Sequence, residues 1–317
     1  MSKLDQYLNA ATRENTLQSY ASALRHFEGD WGGFLPATAD SIARYLADHA
    51  NTLAINTLRQ RLAALARWHI EQGFPDPTKA PVVRQVFRGI RALHPTQAKQ
   101  AKPLQLDQLA QIIQWLDAAV DIARVRRDRG AELRSLRDKS LLLLGFWRGF
   151  RGDELTRLLV EHVQAIPNEG LTCYFARTKG DRHNEGTTFR APALSRLCPV
   201  DAYLDWVAAA QLNSGAVYRA IDRWGRVSDT GLHIDSIAPL LRTILANVGI
   251  DAPDRYSSHS LRRGFANWAS ANGWDIKTLM EYVGWKDIQS AMRYVDASDP
   301  FSKRRIERAM CNTLHLP

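Results

Sequence analysis

The sequence predicts a mainly α-helical protein with one small β-sheet, built as a helical N-terminal domain and a C-terminal α+β domain. Three observations carry that expectation. Apolar residues recur at helical spacing along most of the 317 residues. Residues 171–178 and 187–191 have strand character and flank a loop rich in turn residues. Residues 95–103, Pro-Thr-Gln-Ala-Lys-Gln-Ala-Lys-Pro, lack apolar periodicity and are bracketed by prolines, which reads as a linker between domains at 1–94 and 104–317.

In the first domain, Leu17, Tyr20, Leu24 and Phe27 mark a helix that ends in a Gly-Asp-Trp-Gly-Gly turn. Thr38 is the expected N-cap of a second helix carrying Ile42, Tyr45 and Leu46. A third helix has Leu58, Leu62, Leu65 and Trp68 on one face, with Arg59, Arg61 and Arg67 elsewhere on its surface. A fourth sets Val83, Phe87 and Ile90 beside a second stripe, Arg84, Arg88 and Arg91. One side can therefore pack while its neighbour presents three positive charges.

The linker, fully extended, reaches roughly 30 Å. Beyond it, Leu104, Leu109, Ile112, Ile113 and Leu116 begin a helix. The charge-dense run from Arg124 to Lys139 reads as a solvated helix end and loop. Leu141–Trp147 is a buried helix leading to Arg151, and residues 171–191 form a hairpin whose turn holds Lys179. Helices resume near Asp201, Ser236, Ser260, Asp275 and Asp287, and no repeat period is visible.

Composition narrows the function classes. Lys and Arg number 42 against 33 Asp and Glu, a net of +9, which favours a polyanionic partner such as nucleic acid. The segment through Lys102 holds 13 of these basic residues against 8 acidic ones, a net of +5. Three scattered cysteines (Cys173, Cys198, Cys311) exclude a full disulfide framework and favour a reducing, cytoplasmic compartment. There is no zincin-type histidine pair and no Cys-x-x-Cys, so no metal site is expected. The start lacks an apolar signal core, and the apolar run at Leu141–Trp147 is far too short to span a bilayer.

One constellation carries chemistry. Arg151 lies in Arg-Gly-Phe-Arg-Gly-Asp-Glu; His259-Ser-Leu-Arg262, Gly284-Trp285 and Arg293-Tyr294-Val295 follow in order. Taken singly, His-x-x-Arg is common in unrelated helices, and Tyr294 would usually be a core tyrosine. Jointly, two guanidinium groups, an imidazole, an indole N–H and a phenol can hold a phosphate and attack it. The arginines suit the non-bridging oxygens, where transition-state charge must be held. Tyrosine, with an unperturbed pKa near 10, needs that help to act as a nucleophile.

These residues resemble the tyrosine recombinase (phage integrase) family, over nearly the whole chain. Arg151 with Glu154 looks like the family's first box, Lys179 like its mobile lysine and His259-Ser-Leu-Arg262 like its second box. Trp285 and the nucleophile Tyr294 follow at the family's usual steps of 23 and nine residues. Trp285, where many members have a second histidine, is most similar to the Cre-like branch. Arg148 replaces a frequent threonine, at a position with no catalytic role in the family.

The resemblance implies a two-domain C-clamp, with an N-terminal core-binding domain that includes Thr57-Leu-Arg-Gln-Arg-Leu. It implies no cofactor. In it Lys179 protonates the leaving 5′ oxygen, His259 and Trp285 complete the phosphate pocket, and Glu154 orients a neighbour. The partners would be duplex DNA with an inverted-repeat core site and further copies of the chain, a dimer per site and a tetramer in synapsis. The tail with Phe301, Ile306, Met310 and Leu314 would pack onto a neighbouring subunit or back onto its own domain.

Beside phosphate chemistry, the basic stripes read as DNA contacts at Arg59, Arg61, Arg84, Arg88 and Arg91. Resolution of dimers or cointegrates, or integration and excision of a mobile element, is the expected role. The rivals are a monomeric type IB topoisomerase and a non-catalytic DNA-binding homologue.

Overall fold

The computed structural model describes residues 14–95, 100–176, 178 and 185–292. The chain divides into two compact units, Met1–Lys99 and Gln100–Pro317. The segment expected as a linker is described only at residue 95 and residues 100–103.

The first unit contains α1 (Glu14–Arg25), which runs into a wider helical turn at His26–Asp30, then α2 (Ala39–Asp48), α3 (Ile55–Glu71) and α4 (Pro81–Leu93). Helix α1 packs on α3, and α2 on α4. Phe27, Ile42, Tyr45, Leu46, Leu58, Leu65, Val83 and Ile90 form the core. Thr38 caps α2 as the sequence predicts, its hydroxyl accepting from the Ser41 N–H at 3.1 Å. The glycine turn after α1 has a steric cause at its last residue. A Cβ on Gly33 would lie 2.5 Å from the Phe27 ring.

The second unit begins with α5 (Leu106–Arg126), α6 (Arg129–Trp147) and the short α7 (Gly152–Thr156). Strands β1 (Val163–Ile166), β2 (Gly170–Phe175) and β3 (Thr187–Pro192) form an antiparallel sheet in that order, with Cys173 opposite both Val163 and Phe189. Helix α8 (Pro199–Ala210) precedes a two-stranded ribbon of β4 (Arg219–Ile221) and β5 (Val227–Gly231). Helices α9 (Ile237–Val248), α10 (Ser258–Ala271), α11 (Ile276–Val283) and α12 (Ile288–Met292) complete the described part.

The β2–β3 hairpin is where the sequence predicts it. Strand β1 and the β4–β5 ribbon are additions. Their three to five residues carry too little alternation to be read alone, and pairing stabilises them.

The charge-dense run is a larger departure. Arg127 adopts a left-handed conformation (φ 56°) and ends α5, Asp128 caps α6, and the run from Arg129 onward is helical. Arg137 and Asp138 are buried as a pair, with Arg137 Nε donating to Asp138 Oδ1 at 2.8 Å and Nη1 donating to the Arg219 carbonyl at 3.1 Å. Burial raises the Asp138 carboxyl to about 6 despite its partner. A fixed ion pair and a strand carbonyl thus take charges that a local reading assigns to solvent.

Helix α6 is buried along most of its length and lies against α5 and α8, with α10 across it. The segment before α5 is strapped over the start of α10. Lys102 N–H donates to the Arg255 carbonyl at 2.9 Å, and Leu104 N–H to the Ser260 carbonyl at 3.0 Å. This close approach requires Gly264, where a Cβ would stand 1.9 Å from the Leu104 carbonyl oxygen. Gly264→Ala is therefore expected to destabilise the second unit by about 3 kcal/mol or more, because backbone rather than a mobile side chain blocks the methyl. A thermal melt of the variant within a degree or two of the parent would contradict this.

Among the described residues no helix is long and apolar enough to cross a membrane. None of their His, Cys, Asp and Glu side chains form a group of three or more suited to hold a metal ion.

Candidate functional site

The site is assembled from the ends of helices. Arg151 is the N-cap of α7, and Glu154 is that helix's third residue. Glu154 reaches back: its Oε2 accepts the Arg151 backbone N–H at 2.8 Å, and its Oε1 accepts Arg151 Nη1 at 2.6 Å. One carboxylate so fixes both the turn and the side chain of Arg151. Glu154 is 3% exposed.

Arg262 comes from α10, whose start is set by Ser257. The Ser257 hydroxyl accepts from the His259 N–H at 3.3 Å, and Ser260 Oγ accepts from the Ser257 N–H at 2.9 Å. Arg262 is fully buried. Its Nη1 donates to the Gly149 carbonyl at 2.6 Å and lies 4.0 Å from Glu154 Oε2. Its guanidinium carbon sits 4.7 Å from the centroid of the Trp285 ring, which is itself 4% exposed. His259, one turn earlier on α10, is exposed at the surface.

The fold therefore gathers Arg151, Glu154, Arg262 and Trp285, with His259 one helical turn away. Two guanidinium groups share one buried carboxylate, so among these described residues positive charge outnumbers negative by one. In a poorly solvated setting that excess favours an anion strongly, and the planar forks match phosphate oxygens. Lys179 and Tyr294 lie outside the described residues, as do Cys311 and the tail with Phe301, Ile306, Met310 and Leu314. A cavity of about 1100 Å³ bordered by Asp107, Gln114, Lys139, Cys198 and Asp201 includes none of these site residues.

The arginines of the first unit differ among themselves. Arg84, Arg88 and Arg91 are exposed along α4, beside the buried Val83 and Ile90. Arg59 is exposed and donates to Asn56 Oδ1 at 2.7 Å. Arg61 is half-buried and donates to the Ser22 carbonyl at 2.9 Å, which ties α3 to α1. Among the described residues, the α4 stripe thus has charges clear of such internal ties.

Arg148 belongs with the site's surroundings, although its sequence position suggests no role. Its one warning in the sequence is a charge that closes the apolar run Leu141–Trp147. The residue is 3% exposed.

Known proteins share this arrangement of elements. The profile described as the phage integrase family matches residues 103–300. An integrase/recombinase xerD homolog of Selenomonas ruminantium is 28% identical over 316 residues, spanning 96% of this chain and 88% of that protein. The recombinase cre of Escherichia phage P1 is 21% identical over 272 residues, spanning 83% and 77% of the two chains. The fold is similar to the Tn1549 transposon integrase bound to transposon right end DNA, with a TM-score of 0.62 at 14% identity, covering 96% of this chain and 95% of that one.

Proposed function

This chain belongs to the phage integrase family of tyrosine recombinases, and we infer from that premise how its residues divide the reaction. The family's chemistry is site-specific DNA strand transfer, so the protein is an enzyme that cuts and rejoins DNA through a tyrosine.

Arg151 and Arg262 clamp the non-bridging oxygens of the scissile phosphate, with Trp285 completing the pocket and Glu154 orienting Arg151. The Tyr294 oxygen attacks phosphorus and the bond to the 5′ oxygen breaks. Lys179 gives that oxygen a proton, while the phenol proton passes to His259. The products are a 3′-phosphotyrosyl link and a free 5′ hydroxyl. The 5′ hydroxyl of a partner strand then attacks the link, and the proton transfers reverse. Because one phosphoester replaces another, the bond energy is kept and ATP has no part to play.

The observation that carries this reading is the buried Glu154, which touches Arg151 at 2.6 Å and lies 4.0 Å from Arg262, far away in the sequence. The substrate is duplex DNA with a short inverted-repeat core site, bound by a dimer, with a tetramer joining two sites through a Holliday junction. Residues 1–94 form the core-binding domain, in which Arg84, Arg88, Arg91, Arg59 and Arg61 supply phosphate contacts. Residues 104–317 form the catalytic domain. The protein works on cytoplasmic DNA, resolving dimers or cointegrates or moving a mobile element.

The deciding experiment pairs two assays in EDTA. Exchange between two copies of a candidate site, with a covalent protein–DNA intermediate, is the expected result. Relaxation of site-free supercoiled DNA without exchange would favour a monomeric topoisomerase. DNA binding with no covalent intermediate would favour an inactive homologue.

A further inference from the structure

We propose that Arg148 is a positioning residue of the recombination site, holding Trp285 against Arg262 by capping the C-terminal end of α11. The proposal rests on the tyrosine recombinase reading above.

Arg148 closes α6 and is almost fully buried. Its guanidinium brings a positive charge into that interior. Among the described residues no carboxylate forms an ion pair with it, and its Nε has no hydrogen-bond partner. Burying a charge in that state is costly, so the contacts it does make must offset the cost.

What the side chain does touch is specific. Its Nη2 donates to the Tyr282 carbonyl. Its guanidinium carbon lies 3.9 Å from the centroid of the Tyr282 ring, 5.1 Å from that of Phe189 and 5.8 Å from that of Phe150. Tyr282 is the penultimate residue of α11, so its carbonyl lacks an intrahelical donor. A positive charge there also meets the negative end of the helix dipole.

The chain then turns at Gly284 (φ 75°), whose N–H and that of Trp285 both donate to the Met280 carbonyl at 2.9 Å. A Cβ on Gly284 would come within 2.9 Å of Phe189, so the turn is wedged against the hairpin strand that also faces Arg148.

These contacts close a ring. Arg148 grips Tyr282, and Trp285 three residues on stacks with Arg262. Arg262 in turn donates to the carbonyl of Gly149, the residue after Arg148. Neutralising Arg148 would free the end of α11 and loosen Trp285 without removing any group placed against the phosphate.

The test is single-turnover cleavage of a nicked duplex by Arg148→Met, Arg148→Lys and the same changes in a Trp285→Ala background. Arg148→Met is expected to cleave roughly 10- to 100-fold more slowly, the loss typical of small displacements in a positioned site. It should bind the duplex within about threefold of the parent, since it removes no substrate contact. Arg148→Lys, which can still donate to the carbonyl, should recover part of the rate.

In the Trp285→Ala background the Arg148 change should cost less than about threefold, because the residue acts through the indole. Parental rates in Arg148→Met, or a full multiplicative loss in the Trp285→Ala background, would overturn the assignment. If Arg148→Met fails to melt cooperatively, Arg148→Lys takes its place in the same cycle, and the same two outcomes decide. A parent that forms no covalent adduct would instead overturn the proposed function, so the two failures are distinct.

Discussion

Tyr294→Phe should abolish the covalent protein–DNA adduct while leaving duplex affinity nearly unchanged. The substitution removes one oxygen, and that oxygen is the atom assigned to attack phosphorus. Arginines that hold the phosphate cannot replace it, because they stabilise charge and supply no nucleophile. Loss of a nucleophile in a comparable two-step mechanism costs on the order of 10⁴-fold or more. Affinity is set mainly by the many phosphate contacts of a basic protein, so it should shift little. The measurement is a denaturing gel of protein incubated with nicked suicide duplexes. An adduct persisting in the variant would move the nucleophile to another residue, and the pocket geometry would need a new partner.

Arg262→Ala is expected to slow cleavage by about 10³-fold or more, as removal of an arginine that stabilises phosphoryl-transfer charge does. Two effects add here. The phosphate loses a clamp, and the interior loses the side chain that joins Gly149, Glu154 and Trp285. Removing a partner from a buried charged cluster costs roughly 3 kcal/mol, so the thermal midpoint should fall as well. Arg262→Lys separates the effects. A lysine keeps the charge but is a point donor that cannot match the planar fork, so folding should recover further than the rate. Cleavage by Arg262→Ala at the parental rate would remove Arg262 from the mechanism.

The helical plan, the hairpin and the cap at Thr38 are legible in the sequence because they depend on neighbours close by in the chain. The same locality explains the departures. Arg124–Lys139 looks like a solvated run because its charges are dense, yet Arg137 meets Asp138 and the distant Arg219 carbonyl in the interior. Strands β1, β4 and β5 are too short to announce themselves, although each pairs with a neighbouring strand across a short turn. His259 and Arg262, a pair on one helical face by their spacing, differ sharply in burial. His259 is exposed in the first turn, whereas Arg262 is buried against the Gly149 carbonyl and Glu154.

By itself the sequence determined the family, the order of the candidate site residues and the helical character of both halves. Those depend on residue type and spacing, which are properties of the chain. The tertiary structure decided which side chains share an environment. Glu154 lies between Arg151 and Arg262, Gly264 gives way to the Leu104 carbonyl, and Arg148 closes the end of α11 just before Trp285. Each joins segments far apart in the chain at contact distance. Periodicity carries no information about such a contact, because its energy exists only once the segments have met.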